Sequence, residues 1–206
     1  MKLLNTFFVA FMMAGAGNAV AASSVDLAVK GLITPSACTP ALSNNGVIEH
    51  GKISARDLKP TSPNYIGINT LNLEVNCDAA ILFALRTIDN RAGSSNVSRS
   101  YGLGLINDNQ KLGNFWMTLE NPVADGVAVK SLTSVDGINW SAAGAWFWDV
   151  GLWAAFAAKD APTQPTAIRF LTANLRVRTY IAPANDLDLS NEVPIDGSAT
   201  LEVKYL

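Results

Sequence analysis

The sequence predicts an all-β fold of the sandwich type, and three observations carry that prediction. Apolar residues recur with a period of two in several segments. Clusters of Gly, Asn, Asp and Pro separate those segments. No amphipathic helical pattern longer than a few turns interrupts them. A strand with one buried and one wet face gives this alternation, and many short strands between turns build a sandwich or barrel.

The bulk composition fits. The chain has 206 residues, 49% hydrophobic and 16% charged, with a formal net charge of −2. That is too apolar for a disordered chain and leaves ample material for one core. No Lys/Arg cluster appears, which argues against nucleic acid as a partner. No repeat or charge block divides the chain, so a single globular domain is the simplest organisation.

Met1–Ala21 reads as a cleaved export signal. Lys2 supplies the basic start, Leu3–Ala16 is apolar apart from Asn5 and Thr6, and Ala19-Val20-Ala21 gives the A-x-A pattern. A membrane anchor is the alternative. The apolar run is short for about 30 Å of hydrocarbon, and no basic stop-transfer cluster follows it. Cleavage would leave residues 22–206 and remove Lys2, taking the net charge to −3.

Cys38 and Cys77 are the only two cysteines. In an oxidising compartment a lone pair most simply forms a disulfide, and closing the intervening loop stabilises by roughly 4 kcal/mol in the chain-entropy treatment. With one histidine and no C-x-x-C, neither an ordinary structural zinc site nor a redox dithiol is expected.

The strand signals follow in chain order. Val25–Lys30, Leu71–Cys77, Leu175–Arg178 and Leu201–Tyr205 alternate, and Val47-Ile48-Glu49 reads as a further strand. Ile81–Leu85 is a continuous apolar run, suited to a central strand or to a buried helical turn. Ser43–Gly46, Asp89–Gly93, Asp136-Gly137 and Asp196-Gly197 are turn signals, while Pro60, Pro63, Pro162 and Pro165 mark connections. Four of the five tryptophans fall between Trp140 and Trp153. Core filling is the favoured reading of that cluster, with Trp146 and Trp148 on a sugar-stacking platform as the alternative.

Catalytic chemistry finds no foothold. His50 is the only imidazole, and it sits in a strand-like segment. No G-x-S-x-G, H-E-x-x-H or P-loop pattern exists, and Gly102-Leu103-Gly104 is only half a dinucleotide fingerprint. Asp125, Asp136 and Asp149 lie on unrelated segments. No catalytic residue, metal site or cofactor is therefore expected.

Three segments together resemble the subunits of chaperone–usher pili of Gram-negative bacteria. They are the alternating Val25–Ile33 with Gly31 inside it, closed by Cys38; the Cys38…Cys77 spacing with Gly46 and Gly51 between; and the C-terminal end Asp196–Leu206, which closes in an alternating strand with Tyr205 next to last. Ile88–Gly93, Tyr101–Gly104 and the ending Ala199–Leu206 look more narrowly like a fimbrial-like family of unknown function. The chain is longer than a typical major pilin around residues 121–161.

The resemblance implies an incomplete immunoglobulin-like sandwich that lacks its last strand, occupying residues 35–206. Residues 22–34 become a donor-strand extension with Val25, Leu27, Val29, Gly31 and Ile33 on one face. A periplasmic chaperone would bind through Leu201, Val203, Tyr205 and Leu206, with Glu202 and Lys204 facing away. An outer-membrane usher and neighbouring pilus subunits are the other implied partners, and a cell-surface pilus reached through the periplasm is the implied location. The function expected is that of a structural subunit assembled by donor-strand exchange, a form of β-augmentation. A stand-alone secreted or periplasmic β-sandwich is one alternative. A carbohydrate-binding adhesin using the Trp-rich segment, with a host carbohydrate as partner, is another.

Overall fold

The computed structural model describes residues 37–144, 148–161 and 163–206. Met1–Ala21, read from the sequence as an export signal, and Val25–Ile33 and Trp146 lie outside the described residues.

The chain forms two antiparallel sheets that share one core. Sheet A has the order β1 (Cys38–Leu42), β2 (Asn64–Ile81), β12 (Ile168–Ile181), β7 (Gly113–Ala124), β4 (Tyr101–Gly102), with β8 (Val127–Ala128) paired to the far end of β7. Sheet B has the order β10 (Ser141–Ala142), β9 (Lys130–Ser134), β11 (Trp153–Ala157), β3 (Phe83–Asp89), β13 (Ala199–Tyr205). β5 (Leu105–Ile106) and β6 (Gln110–Lys111) make a small hairpin.

Period-two burial produces the core. Leu71, Leu73, Val75 and Cys77 of β2 and Leu171, Leu175 and Val177 of β12 point inward from sheet A; Phe83 and Leu85 of β3 and Phe156 of β11 meet them from sheet B. Tyr101 is fully buried, stacks on Phe115 with ring centroids 5.0 Å apart, and places its hydroxyl 2.7 Å from Thr87 Oγ1 and 2.9 Å from the Trp148 carbonyl oxygen. Burial pushes the Tyr101 hydroxyl pKa far up. Cys38 and Cys77 stand directly opposite each other in the β1–β2 ladder and are joined by a disulfide.

Ile81–Leu85 resolves as the end of β2, a break at Leu82 and the start of β3, which is central in sheet B. Three expectations are corrected. Val47–Glu49 is not a strand. Asn44 and Asn45 (φ 52° and 50°), then Gly46 and Gly51 (φ 74° and 65°), turn the chain off the sheet on both sides of it. Asp196-Gly197 is not a turn but an irregular run into β13. The tryptophans do not all fill the core. Trp148 is buried there, whereas Trp140 and Trp153 cover a separate cluster of Ala84, Leu132, Ala155 and Ala157.

A candidate strand-binding groove

β13 is an edge strand. Among the described residues it is hydrogen-bonded on one side only, to β3, with Leu201 opposite Thr87, Val203 opposite Leu85 and Tyr205 opposite Phe83. Residues directly opposite share a face, so Leu201, Val203 and Tyr205 point toward the sandwich interior while Glu202 and Lys204 point away. Leu201 and Val203 pack half-buried against the core, and Glu202 and Lys204 pair with each other at 2.9 Å. Tyr205 and Leu206 remain 39% and 43% exposed.

β1 lies at the corresponding border of sheet A. Its first amide, that of Cys38, donates to the Tyr205 hydroxyl at 3.0 Å, so β1 and β13 meet at one end. Farther along they diverge and leave an open groove of about 220 Å³. Leu71 (β2), Leu175 and Val177 (β12) and Phe115 and Met117 (β7) line its floor. Leu42, Gly46, Ile48 and His50 form one wall, and Ile195, Gly197, Ser198, Ala199 and Leu201 the other. Ile48, His50 and Ile195 also line a second cavity of about 750 Å³, between residues 48–58 and 189–195, so the two run into one elongated depression. Lys52 and Glu192 approach to 3.7 Å across it, both highly exposed.

His50 is the one titratable group in the 220 Å³ groove. Its Nε2 lies 3.0 Å from Thr179 Oγ1, with no carboxylate bonded to the ring among the described residues. Burial lowers its pKa below the ordinary histidine value. Thr179 is buried, and the pair, with Ser198 in the opposite wall, supplies the polar side chains of a trough lined mostly by apolar ones.

The wall at residues 195–199 is fixed by the very segments that stood out in the sequence. Arg91 Nε and Nη2 donate to Asp196 Oδ2 at 3.0 and 2.6 Å, and the Asp196 amide donates to the Leu103 carbonyl. The Arg91 guanidinium holds the Asp196 carboxyl below the usual carboxylate range. Asp89 accepts from the amides of Arg91 and Gly102, and Ser94 Oγ accepts from the Gly104 amide. Gly197 fits so closely that a β-carbon there would lie 2.8 Å from Leu103 Cδ2 and 3.1 Å from Phe115 Cε1. Ile88–Gly93, Tyr101–Gly104 and Asp196-Gly197 thus form one clamp behind the groove wall.

Of the residues singled out from the sequence, Cys38, Cys77, Leu201, Val203, Tyr205 and Leu206 gather at this border. Val25, Leu27, Val29, Gly31 and Ile33 lie outside the described residues. Trp148 is buried with its indole Nε1 donating to the Leu152 carbonyl, which leaves no free face for a sugar. Sequence reasoning missed the wall formed by Leu42, Ile48 and His50. Its only signal was Val47 and Ile48 standing among turn residues without a lasting period. No group of three or more His, Cys, Asp or Glu positioned for a metal ion occurs among the described residues.

A family model described as "Protein of unknown function (DUF1120)" matches residues 27–99, a stretch that includes the disulfide, β1 to β3 and the Asp89–Arg91 part of the clamp. The chain is 27% identical to "Uncharacterized protein YhcF" of Escherichia coli (strain K12), over 92% of this chain and 93% of that protein. It is 25% identical to "Protein GltF" of the same organism, over 96% of this chain and 95% of that protein. The chain is therefore similar along nearly its whole length to two E. coli proteins, and through its first strands to that family.

Proposed function

We propose that this protein is a structural subunit of a chaperone–usher fibre, exported to the periplasm and displayed at the cell surface. The observation that carries the reading is the edge of β13, unpaired among the described residues, beside a trough lined mostly by apolar side chains. A free edge of this kind templates pairing with another extended segment, and its backbone groups seek partners. An added strand gains main-chain bonds along β13 and drops alternate side chains into the trough over Leu71, Leu175 and Val177. Val25, Leu27, Val29, Gly31 and Ile33 have the period that such a strand requires.

On this reading a periplasmic chaperone first covers the β13 edge, and the extension of a neighbouring subunit replaces it during passage through an outer-membrane usher. The interface is head to tail and yields a filament. The test is co-expression with a chaperone of this class, followed by deletion of Leu201–Leu206. Loss of co-purification is expected. Capture that survives the deletion would refute the assignment.

A further inference from the structure

We propose that His50 makes the groove a proton-sensitive strand receptor: an extended apolar segment binds while the imidazole is neutral and is released as the ring takes up a proton. This rests on the strand-binding reading of the groove and names what regulates it.

The placement of the ring carries the inference. His50 is the one histidine of the chain, and it lies where the 220 Å³ groove runs into the 750 Å³ cavity, lining both. One edge of the ring rests on sheet A. Nε2 lies 3.0 Å from Thr179 Oγ1, and a β-carbon at Gly67 would lie 3.5 Å from both Nδ1 and Cε1. Thr179 stands opposite Gly67 in β2 and opposite Phe115 in β7, and Phe115 belongs to the groove floor. The half-buried imidazole therefore sits beside the floor that an added strand would cover.

Protonation changes what the ring needs. A neutral imidazole has one donor and one acceptor nitrogen, whereas an imidazolium donates from both and carries a charge. Thr179 Oγ1 can accept from Nε2. Nδ1 has no hydrogen-bond partner among the described residues, so a proton there is hydrated from the open trough. An apolar strand laid over the ring displaces that water and leaves a charged donor unsatisfied. Burial already lowers the His50 pKa in the open groove, and an occupant deepens the same desolvation. The occupied chain therefore holds the proton less readily than the empty one. Affinity is full above the pKa of the empty groove and declines as the pH falls through it, by at most about tenfold per pH unit for one proton.

The charged groups on the surrounding elements do not neutralise an imidazolium. On its own segment Glu49 and Lys52 are exposed, and Lys52 approaches Glu192 of the facing segment at 3.7 Å. Arg178 neighbours Thr179 along β12 and so points to the other face of sheet A. Asp196, in the far wall, is held by Arg91. Glu202 and Lys204 of β13 pair with each other and point away from the trough.

The test uses the purified, untagged full chain, in which the Cε1 proton resonance of the single histidine reports on His50 alone. The probe is a synthetic peptide of residues 25–33, acetylated and amidated, titrated calorimetrically at pH 7.5 and 5.5. Saturable binding is expected at pH 7.5, weaker by about threefold or more at pH 5.5. Saturating peptide should lower the titration midpoint of the His50 resonance by about half a unit or more. His50→Gln should bind the peptide equally at both pH values, and a peptide carrying Leu27→Glu should not bind. Failure of the peptide at both pH values would overturn the strand-binding reading and this inference with it. Binding that leaves the His50 midpoint unmoved, or a decline that persists unchanged in His50→Gln, would overturn the proton linkage alone. The resonance needs no variant, so it decides the question even where His50→Gln does not fold.

Discussion

The Cys38 amide donates to the Tyr205 hydroxyl at 3.0 Å, tying the first described strand of one sheet to the last strand of the other. Tyr205→Phe removes this tie and keeps the ring. The expected cost is about 0.5–1.5 kcal/mol, because one modest hydrogen bond is lost at a partly exposed site. Urea unfolding of the purified protein measures it, and an unchanged midpoint would show that the tie contributes nothing.

Cys38 and Cys77 face each other in the same ladder, so the disulfide should be formed quantitatively on export. Intact mass should rise by two hydrogens on reduction, and alkylation without reductant should fail. Replacing either cysteine should cost about 2–5 kcal/mol and lower the periplasmic yield.

Leu27→Glu separates a donor strand from a strand of the chain's own core. If Val25–Ile33 completes a neighbour, the charge should abolish surface fibres while the yield of the chaperone complex stays normal. If the segment packs in its own domain, an unpaired buried charge should collapse the yield. Normal fibres would contradict the donor role as well.

Gly113 and Gly67 should respond differently to alanine. A β-carbon at Gly113 would overlap the Tyr180 carbonyl oxygen and lie 3.0 Å from Ile181 Cα, and these backbone atoms belong to the central strand of sheet A. Gly113→Ala should cost about 1–3 kcal/mol. At Gly67 the nearest atoms are those of the His50 ring at 3.5 Å, an ordinary contact, so Gly67→Ala should be near neutral. Equal thermal unfolding midpoints for the two variants would contradict the packing argument.

His50 should make stability depend on pH. Burial lowers its pKa in the folded chain below the unfolded value near 6.5. The unfolded chain therefore binds the proton more readily, and stability present above about pH 6.5 declines as the pH falls below it. The pKa values of Asp136, Asp188 and Asp196 are lowered too, by hydrogen bonds, so they act in the same direction, but their contribution is lost only as the pH falls through and below the ordinary carboxylate range. Unfolding midpoints at pH 7.5 and 5.5 isolate the histidine. The decline should shrink in His50→Gln; an identical decline in that variant would assign it elsewhere.

The strands most legible in the sequence were those with one wet face. Leu71–Cys77 and Leu201–Tyr205 alternate because alternate side chains enter the core, and Leu175–Arg178 marked the middle of the much longer β12. The Ile81–Leu85 run concealed a strand boundary, since a break at Leu82 leaves no change in hydropathy. The groove was harder to foresee. Its wall from Leu42 to His50 is irregular backbone placed by left-handed residues, and a local pattern does not say where such a segment will lie. The same holds for the clamp. Arg91 and Asp196 are remote in sequence, and only the fold brings them together. Trp153 covers the outer side of sheet B because it stands in phase with Ala155 and Ala157 along β11, and Trp140 joins it from the residue just before β10, a meeting that residue type alone does not encode.

The pairing of β2 with β12 has a kinetic consequence. Asn72 stands opposite Asn174, and β12 lies between β2 and β7, so sheet A has no centre until β12 arrives. Until then β2 carries Leu71, Leu73 and Val75 on one face with its main long ladder unformed. Topologies dominated by such distant pairings fold slowly and expose sticky edges while they wait. A chain of this design gains most from help that acts before the last strands have docked, when hydrophobic faces and unpaired backbone are open at once.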